Sequence, residues 1–338
     1  MYYQNSVDDI GQERRAELAS GHQLKDDPAD YKPEPGLVDA VNVALVLNKP
    51  LLLTGDPGTG KSQLAFSVAW QLAARSQLNV SATHVERFEA KSTSIARDLF
   101  YSFDTLGRFH AEYSKGSTNN ADYITYNAFG RALLKALPRE QVADVLTDDF
   151  KHDRPIRSIV LIDEIDKAPR DFPNDLLNEI DQLFFRIQEL KNRRIGGVDV
   201  IPDAYRPLVF ITSNSEKNLP DPFLRRCIYY NIPFPDDDAL RKILLARLDR
   251  LRPAGPKGDL LTDALGFFRK LYGADATSHK LSPSELIQWL AYMLACGADP
   301  RKNLKYAREC AQQGLSTLVK DGDSKDAREL LKSHMAGS

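Results

Sequence analysis

An α/β fold with a mostly parallel sheet, followed by an all-α segment, is what the sequence predicts, on three observations. Four short runs, "PLLLT" (50–54), "SIVLID" (158–163), "PLVFITS" (207–213) and "CIYYNI" (227–232), are apolar almost without interruption. That is the pattern of strands covered on both faces rather than one. Three of them lead into stretches with apolar residues at helical spacing, the signature of βαβ units. Beyond "PFPDD" (234–238) strand character stops. At 338 residues the chain has room for two domains.

Taken in order, residues 1–30 are polar and charged, with one helical candidate, "DDIGQERRAELASG", and a linker ending in the turn "DYKPEPG". "LVDAVNVALVL" follows as a helix packed on a core. After "PLLLT" and its turn, "QLAFSVAWQLAA" reads as the next helix. "HVERFEA" (84–90) alternates and is expected to be a fifth strand. The segment from about 92 to 150 is longer than a crossover needs. Its helical candidates, "STSIARDLFYSFDTLGRFHAEY" and "NAFGRALLKAL", are read as an insertion projecting from the core. After the break at "IPFPDDD" come "DALRKILLARLDRL", "LLTDALGFFRKLYG", "SPSELIQWLAYMLACG" and "LKYARECAQQGLSTLV", four amphipathic helices of a second domain. The expected division is thus an N-terminal segment 1–30, an α/β core 31–235 with its insertion, and a helical domain 236–338.

Apolar residues make up 42% of the chain, charged ones 27%, and the formal charge is −2. No global field therefore recruits nucleic acid or an anionic membrane. The three cysteines, Cys227, Cys296 and Cys310, form no CxxC pair and are expected as small core residues in a reducing compartment. The six histidines show no metal-ligand spacing, and no protein-ligated metal is expected. The N-terminus lacks an apolar core behind a basic start, and no apolar run is long enough to span a bilayer. A soluble, cytoplasmic protein is expected.

"GDPGTGKS" (55–62) satisfies G-x-x-x-x-G-K-[ST] in full, with Gly55, Gly60, Lys61 and Ser62 at the defining positions. Glycines permit a tight turn whose backbone N–H groups converge on phosphate oxygens at a helix N-terminus. Lysine reaches the β and γ phosphates, and the serine hydroxyl ligates Mg²⁺. Asp56, Pro57, Gly58, Thr59 and Gln63 complete the expected nucleotide-binding loop. The context matches, a buried strand before and a helix after. "IVLIDEID" (159–166) then places Asp163 and Glu164 at the carboxyl end of a strand, where ligands of open α/β sheets bind. Asp163 is assigned to Mg²⁺ through water, and Glu164 to polarising the attacking water. "LVFITSN" (208–214) ends in Thr212, Ser213 and Asn214, and Asn214 suits a neutral contact to a γ-phosphate and that water. N-K-x-D does not occur downstream of the loop, so ATP is the favoured nucleotide.

Together these residues resemble the AAA+ ATPases: "GDPGTGKS", "IVLIDEID" and "FITSN" look like Walker A, Walker B and sensor 1 in the right order. "LPDPFLRRC" (219–227) is similar to the family's arginine-finger segment, and "LIDEIDKAPRDFPNDLLNEID" to the MoxR family, of the helix-2-insert clade. The resemblance covers about residues 31 to 320. It implies a P-loop NTPase αβα core with a five-stranded parallel sheet in order 5-1-4-3-2, and a C-terminal helical lid. It also implies a homo-oligomeric ring, usually a hexamer, in which Arg225 or Arg226 reaches the neighbour's γ-phosphate, with Arg226 the preferred finger. Where many relatives carry a sensor 2 arginine, "LSPSEL" has Ser284, and only Lys280 or another lid residue stands to replace it. "FFRIQELKNRRIGGVDVIP" (184–202) looks like the clade's pore-facing hairpin, its "KNRR" read mainly as a solvated tip. Phe100, Tyr101, Phe103 and Phe109 are read as packing.

The expected function is a Mg²⁺-dependent, chaperone-like ATPase that remodels a partner protein, by resemblance one with a von Willebrand factor A domain. Two alternatives stay open: a nucleic-acid-coupled motor or loader, which near-neutral charge disfavours, and a slow nucleotide-gated scaffold.

Overall fold

The computed structural model describes residues 28–74, 80–114, 119–147, 150, 152–214, 219–248, 251, 259–273, 280–320 and 324–337. The N-terminal helix candidate lies outside them. The chain divides into two compact units, one spanning Tyr31–Phe234 and the other including Pro235–Ser338.

The first unit is built on helix α1 (Pro35–Leu47), strand β1 (Leu51–Thr54), helix α2 (Lys61–Ala74) and strand β2 (Val80–Glu89). Strand β3 (Tyr101–Phe103), α3 (Thr105–Ser114), strand β4 (Ile124–Tyr126) and α4 (Ala128–Ala136) follow. Next come β5 (Arg157–Asp163), α5 (Phe172–Gln182), β6 (Phe184–Ile187), β7 (Arg193–Gly196), β8 (Leu208–Thr212), the single turn α6 (Asp221–Leu224) and β9 (Ile228–Asn231). The sheet runs β2-β5-β8-β1-β9 with every pairing parallel. Counting its five strands along the chain and starting at β9, that is the order 5-1-4-3-2.

Continuous apolar runs form this sheet because successive side chains serve opposite faces. Leu52, Val160, Ile162, Val209 and Ile211 join one core cluster, while Leu51, Leu53, Ile159, Leu161, Leu208 and Phe210 join the other. The β9 edge is only half covered, and Tyr229 is exposed.

The long segment after β2 corrects the sequence reading in two ways. Its first helical candidate is α-helical only from Thr105, after a 3-10 turn at Ala96–Leu99. Tyr101–Phe103 is instead a strand, paired antiparallel with Ile124–Tyr126. The second candidate, α4, does not project: it belongs to the main core, and its Phe129, Ala132, Leu133 and Leu134 are fully buried. Glu86 of β2, itself buried, anchors it by accepting hydrogen bonds from Lys135 at 2.5 Å and Arg131 at 2.9 Å. Phe100 and Tyr101 are likewise core residues, whereas Phe109 is exposed on α3.

The second unit holds α7 (Asp237–Arg247), α8 (Leu260–Gly273), α9 (Pro283–Ala295), α10 (Arg308–Gln313) and α11 (Ser324–Gly337). Helix α11 is one the sequence reading lacked. "LKYARECAQQGLSTLV" is not one helix either, since α10 is flanked by two 3-10 turns. Ser282 opens α9 through a reciprocal capping box with Glu285, with Pro283 at its first position. Trp289, fully buried, donates to Ala311 O at 3.1 Å. Cys227 is buried, but Cys296 and Cys310 are partly exposed rather than core residues. Among the described residues no helix is long and apolar enough to cross a membrane.

Candidate active site

Parallel pairing brings the carboxyl ends of β1, β8 and β5 side by side, with Leu53 opposite Thr212 and Ile162 opposite Ile211. Whatever follows each strand therefore gathers at one edge of the sheet. After β1 comes the glycine-rich loop. Gly55 has φ +139°, and a Cβ there would meet Ile232 O at 2.5 Å, so only glycine lets the chain leave the strand in this direction. The Tyr31 ring lies against Gly60, 3.0 Å from where a Cβ would stand. Thr59 Oγ1 donates to Asp56 O at 2.8 Å and closes the turn. Pro57 and Gly58 form the exposed tip, and Gln63 lies in the first turn of α2.

Lys61 begins α2 and is buried. Its Nζ donates to Gly55 O at 2.8 Å and Asp56 O at 2.9 Å. Those carbonyls hold the ammonium inside its own loop. Burial pushes its pKa below the ordinary lysine value of 10.5, and the negative fields of Asp166, Asp56, Asp163 and Glu164 partly oppose the shift.

Ser62, one residue on, donates from Oγ to Asp163 Oδ1 at 2.8 Å. The buried Thr212 hydroxyl donates to the same oxygen at 2.5 Å and accepts from the Glu164 backbone N–H at 2.9 Å. Arg87, half-exposed at the end of β2, donates from Nη2 to Asp163 Oδ2 at 2.8 Å. Asp163 is thus held on both oxygens. Glu164 has φ +56°, the left-handed region, which turns the chain out of β5. Its Oε2 accepts from Lys167 Nζ at 2.5 Å, and its Oε1 faces Asn214 Nδ2 at 3.4 Å. The Asn214 backbone N–H donates to Asp166 Oδ1 at 3.3 Å.

Lys61, Ser62, Asp163, Glu164 and Asn214 therefore meet at one strand edge. Arg225 and Arg226 do not join them. Both are exposed after α6, and Arg226 Nη1 donates to Asn178 Oδ1 at 2.9 Å, with Asp181 at 3.8 Å.

Sequence reasoning missed Arg87, Lys167 and Tyr31 and gave Thr212 no role. Lys167 left a signal, being three residues after Glu164, a spacing that brings side chains together on one turn. Arg87 left none, since its partner is 76 residues away. The serine and carboxylate pair, with a second hydroxyl beside it, is an all-oxygen donor set that suits Mg²⁺. The hairpin β6–β7 carries arginines of a different kind. Arg193 grips Asp144 at 2.9 and 3.2 Å, and this bond holds the Asp144 carboxyl below its ordinary pKa. Arg194 pairs with Asp199 at 3.1 Å and lies over the Phe184 ring.

Comparison with known proteins gives a matching family, described as "ATPase family associated with various cellular activities (AAA)", over residues 51–235. None of the curated proteins matches. Among solved structures, RuvB of Thermotoga maritima is 14% identical with a TM-score of 0.44, covering 86% of this chain and 69% of its own. The FIGL-1 AAA domain in complex with ADP is 16% identical with a TM-score of 0.43, covering 98% and 97%. Trip13 from Rhizobiales is 17% identical with a TM-score of 0.42, covering 90% and 94%. At such values these structures are likenesses in outline, and the assignment rests on the family match.

Proposed function

This chain belongs to the AAA family of ATPases, and we propose that it is a Mg²⁺-dependent ring ATPase of the MoxR type that remodels or activates a partner protein. The observation that carries the reading is the bonded set Ser62–Asp163–Thr212 beside Lys61, with Glu164 and Asn214 adjoining it. Mg²⁺ would be held by Ser62 directly and Asp163 through water, and would neutralise charge on the β and γ phosphates. Phosphate oxygens replace the Gly55 and Asp56 carbonyls as acceptors for the Lys61 ammonium. Glu164 takes the proton side of the attacking water, and Asn214 orients that water against the γ-phosphate. Thr212 keeps the two acids in register.

Arg226, held on Asn178 with Asp181 nearby and not among the acids of this chain's own site, serves a neighbour's site in the ring, a hexamer in this reading. A protein carrying a von Willebrand factor A domain is the partner we favour. A nucleic-acid-coupled motor is the weaker reading, because Arg193 and Arg194 are already matched by Asp144 and Asp199.

Glu164→Gln tests the assignment. The variant is expected to bind ATP with unchanged affinity and to lose turnover by at least about 10²-fold, trapping the ring with its client for identification by copurification. Turnover at the wild-type rate would remove Glu164 from the chemistry.

A further inference from the structure

We infer that Lys167 is a positioning residue that holds Glu164 in a resting geometry and so sets the basal rate of ATP turnover. The inference rests on the reading of Glu164 as the residue that polarises the attacking water. Lys167 lies on the 3-10 turn Ile165–Lys167, and its backbone N–H donates to Glu164 O at 3.0 Å. This closed turn sets the lysine stem over the glutamate, so the pair forms within one short loop and loses little entropy on closing. Its ammonium then meets Glu164 Oε2 at 2.5 Å.

The other oxygen makes a much weaker contact, 3.4 Å to the Asn214 amide. Glu164 thus gives its best acceptor to Lys167 rather than to the sensor residue or to water. Polarising a water needs that acceptor turned toward it, and the lysine competes for the same lone pairs. Asp163 has its own cation in Arg87, so each of these two acids is matched by a basic residue. The two matches differ in strength. Asp163 is buried and also bonded by two hydroxyls, whereas the Lys167 and Glu164 side chains are 45% and 28% exposed. Exposed ion pairs are weak and screened by salt. Lys167 is therefore a releasable latch, not a permanent block.

The test is ATPase kinetics on the full chain for wild type, Lys167→Met, Lys167→Arg and Glu164→Gln, at low and high salt without any partner protein. Lys167→Met is expected to raise basal kcat roughly three- to fivefold with KM for ATP unchanged. Wild-type kcat is expected to climb toward that value as salt screens the pair, while the methionine variant stays flat. Lys167→Arg, which restores a cation, is expected to return kcat to the wild-type level. A fall in kcat for Lys167→Met, or equal acceleration by methionine and arginine, would overturn the latch while Glu164→Gln still abolished turnover. Normal turnover in Glu164→Gln would instead overturn the underlying reading of the site.

Discussion

The carboxyl edge of the sheet and the hairpin β6–β7 both gather charge, and they handle it in opposite ways. On the hairpin, Arg193 is partly exposed and Arg194 exposed, and each finds its own acid on the surface. At the sheet edge, Lys61, Asp163 and Thr212 are all buried. Lys61 donates there to carbonyls of its own loop. Surface pairs contribute about 0–1 kcal/mol and ask nothing of a ligand. A buried ammonium bonded to carbonyls is a costly arrangement that an incoming anion would improve. The difference teaches where to look for function: not where arginines are most numerous, but where charge is buried with incomplete compensation.

The largest effect expected is at Arg226, an exposed charge that bonds the neutral Asn178 side chain at 2.9 Å and has Asp181 only at 3.8 Å. Arg226→Ala is predicted to lower ring turnover by about 10³-fold or more while ATP binding stays intact. Mixing it with Glu164→Gln subunits is predicted to restore part of the activity. Mixed rings that remain silent would argue that the finger is not supplied in trans.

Lys61→Met sharpens the contrast from the other side. ATP binding, followed by calorimetry, should fall below detection. The apo protein should also change its pH response. Because burial lowers the folded-state pKa of Lys61, the folded protein binds fewer protons than the unfolded one between that lowered value and 10.5. Stability contributed at this position is thus present above 10.5, and is lost as pH falls through the folded pKa. Denaturant melts from pH 7 to 10 should show wild type gaining on Lys61→Met as pH rises. A constant difference between the two would show that the ammonium is not desolvated.

The smallest effect is at Arg194. Arg194→Ala is expected to shift unfolding free energy by no more than about 1 kcal/mol and to leave ATPase activity unchanged. Loss of activity on addition of a client would give the hairpin a role beyond its own ion pairs.

Much of the site was legible because its residues are adjacent in the chain. "GDPGTGKS" carries its turn, its helix start and its lysine within eight positions, and Asp163–Glu164 end an unmistakable apolar run. Strand order could not be read from composition or periodicity. It entered through the family resemblance, and the observed sheet has it. The burial of α4 was missed because an amphipathic helix looks the same on a projection as on a core. Its ion contacts with Glu86 are 45 and 49 residues distant in sequence.

By itself, the sequence pointed to the five runs that form the main sheet and to the loop and two acids proposed to hold phosphate. Those properties follow from local spacing, from glycine at a strand exit and from continuous apolar runs. Only the tertiary structure decided how the acids are held. Thr212 bridges Asp163 and Glu164 because β8 lies beside β5, and Arg87 reaches Asp163 because β2 lies on its other side. Lys167 is near Glu164 in the chain, yet the left-handed turn at Glu164 is what precedes their 2.5 Å contact. Pairing across a sheet depends on which strands become neighbours, and a one-dimensional pattern of residues does not carry that information.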